Sequence, residues 1–264
     1  MSESPSWPGS AERVLGLGQG RGGVQAVHLH LEDAAATAWT TAQEWDGCHD
    51  ETAPPLAEGD TIVMMFDGSK SDDATGLVGL RMPDGHAGVL HLQGKPEHLA
   101  ADTRWQVNRD EADLAVRTAF ERSDVMGFFA DVREFESYAD GCAQEFGEQL
   151  LVEATTGRNR HPVAFDMRAR VQEFTQATRR TLVDIRDRTL THDGDRRLRR
   201  HPLNARRAPN RYGTSVAKEG RESPHKIDLL VCLIVARHVR RLALASPGWA
   251  KRARKRGGKL RVFH

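Results

Sequence analysis

Thr61-Ile-Val-Met-Met-Phe-Asp67 is the stretch from which the fold can be read. Five consecutive apolar residues without polar alternation suit a strand buried on both faces, and the run closes on a carboxylate. Val125-Met-Gly-Phe-Phe-Ala-Asp131 repeats the arrangement, and a third aspartate, Asp228, opens the apolar segment that begins Lys226-Ile227. An acid at the exit of a buried strand is costly unless positive charge sits beside it. Three such carboxylates meeting at one edge of a sheet make a natural site for a divalent cation, which points to phosphoryl chemistry. The plainer reading makes Asp67 a turn residue before Gly68-Ser69 and Asp228 a first-turn helix acid.

Working outward, residues 60–67, 74–82 and 86–93 read as three strands, turning at Pro83-Asp-Gly85, in an antiparallel meander. A helix follows over 110–122, with Ala112, Ala115, Val116 and Ala119 on one face. Then come a fourth strand over 125–131, a helix over 134–146 and a fifth strand over 149–154. Strand–helix–strand order demands parallel pairing with right-handed crossovers, so the first and fourth strands become parallel neighbours in the middle of a mixed five-stranded α/β sheet flanked by helices. Their C-terminal ends then carry Asp67 and Asp131 side by side. A long helix is expected over 162–182, and an irregular Arg-rich stretch over 186–223. The last helix has Ser223 as N-cap and Pro224 in its first turn, and it is apolar nearly all round, so it should be buried. This layout predicts an N-terminal extension over 1–58 with a short helix over 34–45, a main domain over 59–245 and a disordered basic tail over 246–264.

The formal net charge of +1 conceals a strong polarity. Residues 1–157 hold 10 Lys/Arg against 28 Asp/Glu, a balance of −18, whereas residues 158–264 hold 28 against 9, a balance of +19. Such a chain suits cation binding in its acidic part and polyanion binding in its basic part, or mutual attraction of the two. The candidates for phosphate contact are Arg196, Arg197, Arg199, Arg200, Arg206, Arg207 and Arg211. The run Lys251-Arg-Ala-Arg-Lys-Arg256 could add to them or be a solvated terminus.

Cys48, Cys142 and Cys232 are odd in number and show no CxxC pair, which favours a reduced compartment without structural zinc. No signal peptide is evident, and the longest apolar run, over 227–236, is too short to span a bilayer. A cytoplasmic protein without a membrane partner is expected. Gly18-Gln-Gly20-Arg-Gly-Gly23 matches GxGxxG, but an alternating, strand-like stretch follows it instead of a helix, so it reads as linker and not as a dinucleotide site. No GxxxxGK[ST] loop occurs, so no ATP-binding residue is assigned and no ATPase activity is expected. His192, His201 and His225 could orient a water or a phosphate, but each reads more readily as a satisfied structural histidine.

Six motifs in order extend the argument. They are Phe66-Asp-Gly-Ser-Lys-Ser-Asp-Asp-Ala-Thr75, Trp105-Gln-Val, Phe129-Ala-Asp131, Leu190-Thr-His-Asp-Gly194, His201-Pro-Leu-Asn-Ala205 and Ser223-Pro-His-Lys-Ile-Asp228. Together they resemble the nuclease half of tailed-phage terminase large subunits, especially those of actinobacterial phages and prophages, over about residues 45–245. The resemblance implies a ribonuclease-H-like fold and an endonuclease that cuts concatemeric double-stranded DNA during genome packaging. It implies Mg²⁺ or Mn²⁺ as cofactor, Asp67, Asp131 and Asp228 as metal-binding catalytic residues, and Asp72 and Asp73 as weaker candidates. Double-stranded DNA is the implied partner, with a separate packaging ATPase, a terminase small subunit and a portal protein as further ones. The chain departs from the family pattern in having Asp131-Val132 where Asp-Pro is usual, and in showing no ATPase motif. Two other readings fit the same residues: a catalytically inactive prophage remnant that binds DNA, and a transposase- or resolvase-like nuclease. The Asp-Gly-Ser and Lys-Ile-Asp contexts argue against the second.

Overall fold

The computed structural model describes residues 37–255, apart from 69–73, 97–98, 101–102, 104, 132–135, 221–222 and 224. The GxGxxG stretch, Asp72, Asp73, Pro224 and the end of the basic run at Arg256 lie outside the described residues.

Helix α1 (Ala42–Asp46) is closed by a capping box, in which the Thr41 hydroxyl accepts from the Glu44 amide and the Glu44 carboxylate accepts from the Thr41 amide. The sheet consists of β1 (Thr61–Asp67), β2 (Thr75–Arg81), β3 (Ala87–Gln93) and β4 (Asp124–Ala130) in the order β3-β2-β1-β4. Strands β1 and β2, and β2 and β3, pair antiparallel, whereas β1 and β4 run parallel with Phe66 opposite Ala130. The crossover from β1 to β4 therefore leaves both C-terminal ends on one edge.

The expected fifth strand over 149–154 does not form, and β4 stands at the edge of a four-stranded sheet rather than in the middle of five. Two short stretches cover that edge instead. The Leu151 amide donates to Met126 O at 2.7 Å, while the Ala130 amide donates to Val163 O and the Phe165 amide to Ala130 O, each at 2.9 Å. The chain between them turns back on itself through a Thr155–His161 bridge, so neither stretch reaches ladder length.

Period-two alternation sends the two faces of the sheet into two cores. Ile62, Met64, Phe66, Leu77 and Phe128 pack with Ala112 and Val116 of α2 (Arg109–Arg122) and with Ala139 and Cys142 of α3 (Glu136–Phe146). Val63, Met65, Val78, Leu80 and Phe129 face the other way. They meet Trp39, Trp45, α4 (Val171–Arg186) and α6 (Asp228–Ala245). Helix α4 starts nine residues later than expected, because 163–165 is extended along β4 and Asp166 then accepts from the Arg168 and Ala169 amides in a turn.

The Arg-rich stretch is ordered where the sequence suggests irregularity. It forms α5 (Arg196–Asn204), with Asp195 as N-cap, and a hairpin of β5 (Arg206–Asn210) and β6 (Gly213–Ala217). Pro247–Lys255, expected to be disordered, forms α7.

Helix α6 is buried nearly all round, as its sequence requires, and it lies close on the sheet because two strand positions lack side chains. A Cβ on Gly76 would lie 2.9 Å from Leu229 Cδ2, and one on Gly127 would lie 2.5 Å from Val239 Cγ1 and 2.8 Å from Val152 Cγ2. Gly127→Val should therefore destabilise the protein by about 1–3 kcal/mol through overpacking, read as a lower denaturant midpoint. An unchanged midpoint would mean that α6 does not sit this close to β4.

Candidate active site

Alternation decides which way the strand-end acids face. Val63 and Met65 of β1 point toward α6, and Asp67 continues that series. Gly127 and Phe129 of β4 do the same, and Asp131 follows them. The Asp131 amide donates to Phe66 O at 3.0 Å, so the strand ends stay paired up to the acids. Asp228 is the first residue of α6, where a carboxylate also complements the helix dipole. Asp131 and Asp228 are buried and Asp67 is partly exposed.

Cys232 lies one turn beyond Asp228 on the same face of α6. Its thiol, fully buried, donates to Gly76 O at 3.5 Å, across the ladder from Asp67. Burial first, then the charges of Asp67, Asp228 and Asp131, push this thiol far above its ordinary range. Cys232 therefore stays uncharged beneath the carboxylates. Among the described residues, no three His, Cys, Asp or Glu groups are already drawn in to the spacing of a single ion's ligands. The donor set nevertheless suits a hard divalent cation, being three carboxylates on rigid elements with a protonated thiol behind them.

Two elements that brace this corner carried no signal beyond their motif. His201 Nδ1 accepts the Leu229 amide at 3.2 Å, and Asn204 Nδ2 donates to Lys226 O at 3.0 Å, so the His201-Pro-Leu-Asn stretch holds the start of α6. Burial, reinforced by Lys218 and Arg200, pushes the His201 imidazole down to about 4, which keeps it a neutral acceptor at pH 7. His192 is also structural. It stacks on Trp45 at 4.5 Å, accepts the Gly194 amide on Nδ1 and bonds Trp45 O through Nε2. His225 is exposed beside Glu219. Sequence reading passed over Lys218, which follows β6 and places Nζ 3.8 Å from Asp228 Oδ1. A single lysine after a polar strand leaves no pattern to find.

The seven arginines differ in how they are engaged within the fold. Arg197 makes a bidentate pair with its own helix cap, Asp195, and Arg199 grips Asp46 with contacts of 2.6 and 2.8 Å. Arg206 is directed at the carbonyls of Leu203, Asn204 and Ala205, which close α5. Arg196, Arg200, Arg207 and Arg211 are exposed, with Arg211 at the hairpin turn, its guanidinium 4.7 Å from the centre of the Tyr212 ring.

The sequence and the fold resemble those of tailed-phage proteins. The chain is 36% identical over 219 residues to the gene 13 protein of Mycobacterium phage L5, covering 79% of this chain and 36% of that protein. It therefore spans little more than a third of the length of the curated relatives it matches. The large terminase of bacteriophage HK97 superposes with a TM-score of 0.54 at 14% identity, over 78% of this chain and 43% of that one. The fold is that of part of a phage large terminase. The large terminase nuclease of thermophilic phage G20c, solved with bound magnesium, aligns more loosely, with a TM-score of 0.46 at 12% identity, over 73% of this chain and 95% of that one. No family model matches the chain. The three cysteines are free and buried, and among the described residues no helix is long and apolar enough to cross a membrane.

Proposed function

We propose that this chain is a metal-dependent endodeoxyribonuclease that hydrolyses phosphodiester bonds of concatemeric double-stranded DNA during phage genome packaging. The arrangement that supports the reading is Asp67 and Asp131 at the paired ends of β1 and β4, with Asp228 opening the helix packed on the same face of the sheet. These three carboxylates would hold Mg²⁺ or Mn²⁺. When bound there, such ions supply Lewis acidity toward the phosphate and activation of water in a two-metal hydrolysis.

The remaining work falls to the chain itself. The paired ends of β1 and β4 hold two carboxylates at a fixed separation, and His201 and Asn204 hold the helix that carries the third. Lys218 brings a positive charge to the margin of the site, where a non-bridging phosphate oxygen would be drawn. Cys232 adds no charge, which leaves the local negative potential to the three acids. Exposed arginines of α5 and the hairpin contact the DNA backbone without reading sequence. A packaging ATPase, a terminase small subunit and a portal protein are the partners that this reading proposes, in the host cytoplasm.

Incubation of the purified chain with supercoiled plasmid tests the reading. Nicked and linear products should form with Mg²⁺ or Mn²⁺ and vanish with excess EDTA. Equal cleavage in EDTA, or none with either ion, would overturn it.

A further inference from the structure

We infer that the cleft between the start of α4 and the β5–β6 turn seats a backbone phosphate of bound DNA, with Arg168 and Arg211 as its principal ligands. The inference rests on the nuclease reading for the source of that phosphate, and on the following features for the site. The cleft has a volume of about 370 Å³, and its polar lining includes Arg168, Arg170, Gln172, Gln176, Arg211 and Tyr212. Three arginines and a tyrosine thus line a space large enough for a phosphate.

The one carboxylate in the lining, Glu173, is already engaged. It accepts from Arg170 at 2.7 Å and pairs with His238 Nε2 at 2.7 Å. These contacts orient Arg170, whose guanidinium also lies 5.6 Å from the centre of the Phe165 ring. The opposite wall is fixed as well, because Asn210 Nδ2 donates to Thr175 Oγ1 at 2.9 Å and ties the hairpin turn to α4. Arg168 and Arg211 are exposed, so ligand binding asks neither to leave a buried position. The cleft is therefore positive, preformed and open.

Its place relative to the acids favours a nucleic acid over an acidic protein segment. The Phe165 amide bonds Ala130 O, immediately before Asp131, and Arg168 follows three residues later. At most about 10 Å of chain separates them. Successive phosphates on one strand advance about 3.4 Å along the duplex axis. A phosphate in the cleft would thus lie a few nucleotides from the bond at the carboxylates, and would set the register of the strand to be cut.

The test is anisotropy of a labelled 20-base-pair duplex in EDTA across a salt series. Against the wild type, the Arg168→Ala, Arg211→Ala double variant should bind less tightly, and its slope of log affinity against log salt should be shallower by about 0.9 per phosphate lost. Arg168→Lys with Arg211→Lys should restore most of the slope, since lysine neutralises phosphate as a point charge. Thermal melts guard against unfolding, and each single alanine variant should show a smaller change in the same direction. An unchanged slope in a double variant, with steep binding by the wild type, would overturn the cleft and leave the nuclease reading standing. Absence of salt-dependent DNA binding by the wild type would overturn both. Recovery of full DNA affinity alongside loss of binding to a poly-glutamate peptide would reassign the cleft to an acidic protein.

Discussion

Asp67→Asn and Asp131→Asn should each lower plasmid cleavage on the order of a thousandfold or more, equivalent to several kcal/mol of transition-state stabilisation. Asparagine keeps the size of the side chain and removes its charge, so the strand ends should stay paired through the Asp131 amide and Phe66 O. Duplex binding in EDTA should accordingly survive within a few-fold, separating a catalytic loss from a binding loss. The two variants should lose similar amounts, because the acids occupy equivalent positions at neighbouring parallel strands. Undiminished cleavage by either one would remove that residue from the site.

The largest effect on stability is expected at Asp184, on α4. Its Oδ2 accepts from Arg237 Nε at 2.9 Å and Nη2 at 2.8 Å, and also from Arg241 Nη2. The Arg237 side chain is only 6% exposed, and burial lowers its affinity for a proton in spite of Asp184. Asp184→Ala leaves that guanidinium buried without its counter-charge, and should cost about 3–5 kcal/mol in denaturant unfolding. Adding Arg237→Met should recover much of the loss, since a buried pair replaced by apolar side chains is often neutral. A loss below about 1 kcal/mol for Asp184→Ala would show that water reaches the arginines and that the pair is not a buried one.

The sheet and its acids were legible because their signals are strong and local. Ile62 to Phe66 and Val125 to Ala130 are apolar on both faces, which marks strands covered on both sides though not whether they lie inside the sheet, as β1 does, or at its edge, as β4 does, and the aspartates stand at their ends. The elements that were misread lack such a signal. Leu150 to Ala154 looks like a strand by composition, yet the edge of β4 is taken by a few hydrogen bonds from two separate stretches. Residues 163–165 carry helix-like spacing but are held extended by Ala130, and only the turn at Asp166 lets α4 begin. The hairpin strand Arg206-Arg-Ala-Pro-Asn210 contains proline and two arginines, tolerable because a two-stranded ribbon has open edges. Among the arginines, charge counting shows where positive charge is concentrated. It cannot show that Asp46 and Asp195 engage two of them, or that Arg211 joins Arg168 across a cleft, because those are contacts between distant parts of the chain.

Helix α6 supplies both the innermost layer of one core and the third carboxylate, and its first turn is anchored by His201 rather than left to fray. Local opening therefore has little room to displace Asp228 without dismantling the layer that holds the sheet. On the proposed nuclease reading, restraint on cleavage would act from outside, by covering the acids or withholding the duplex.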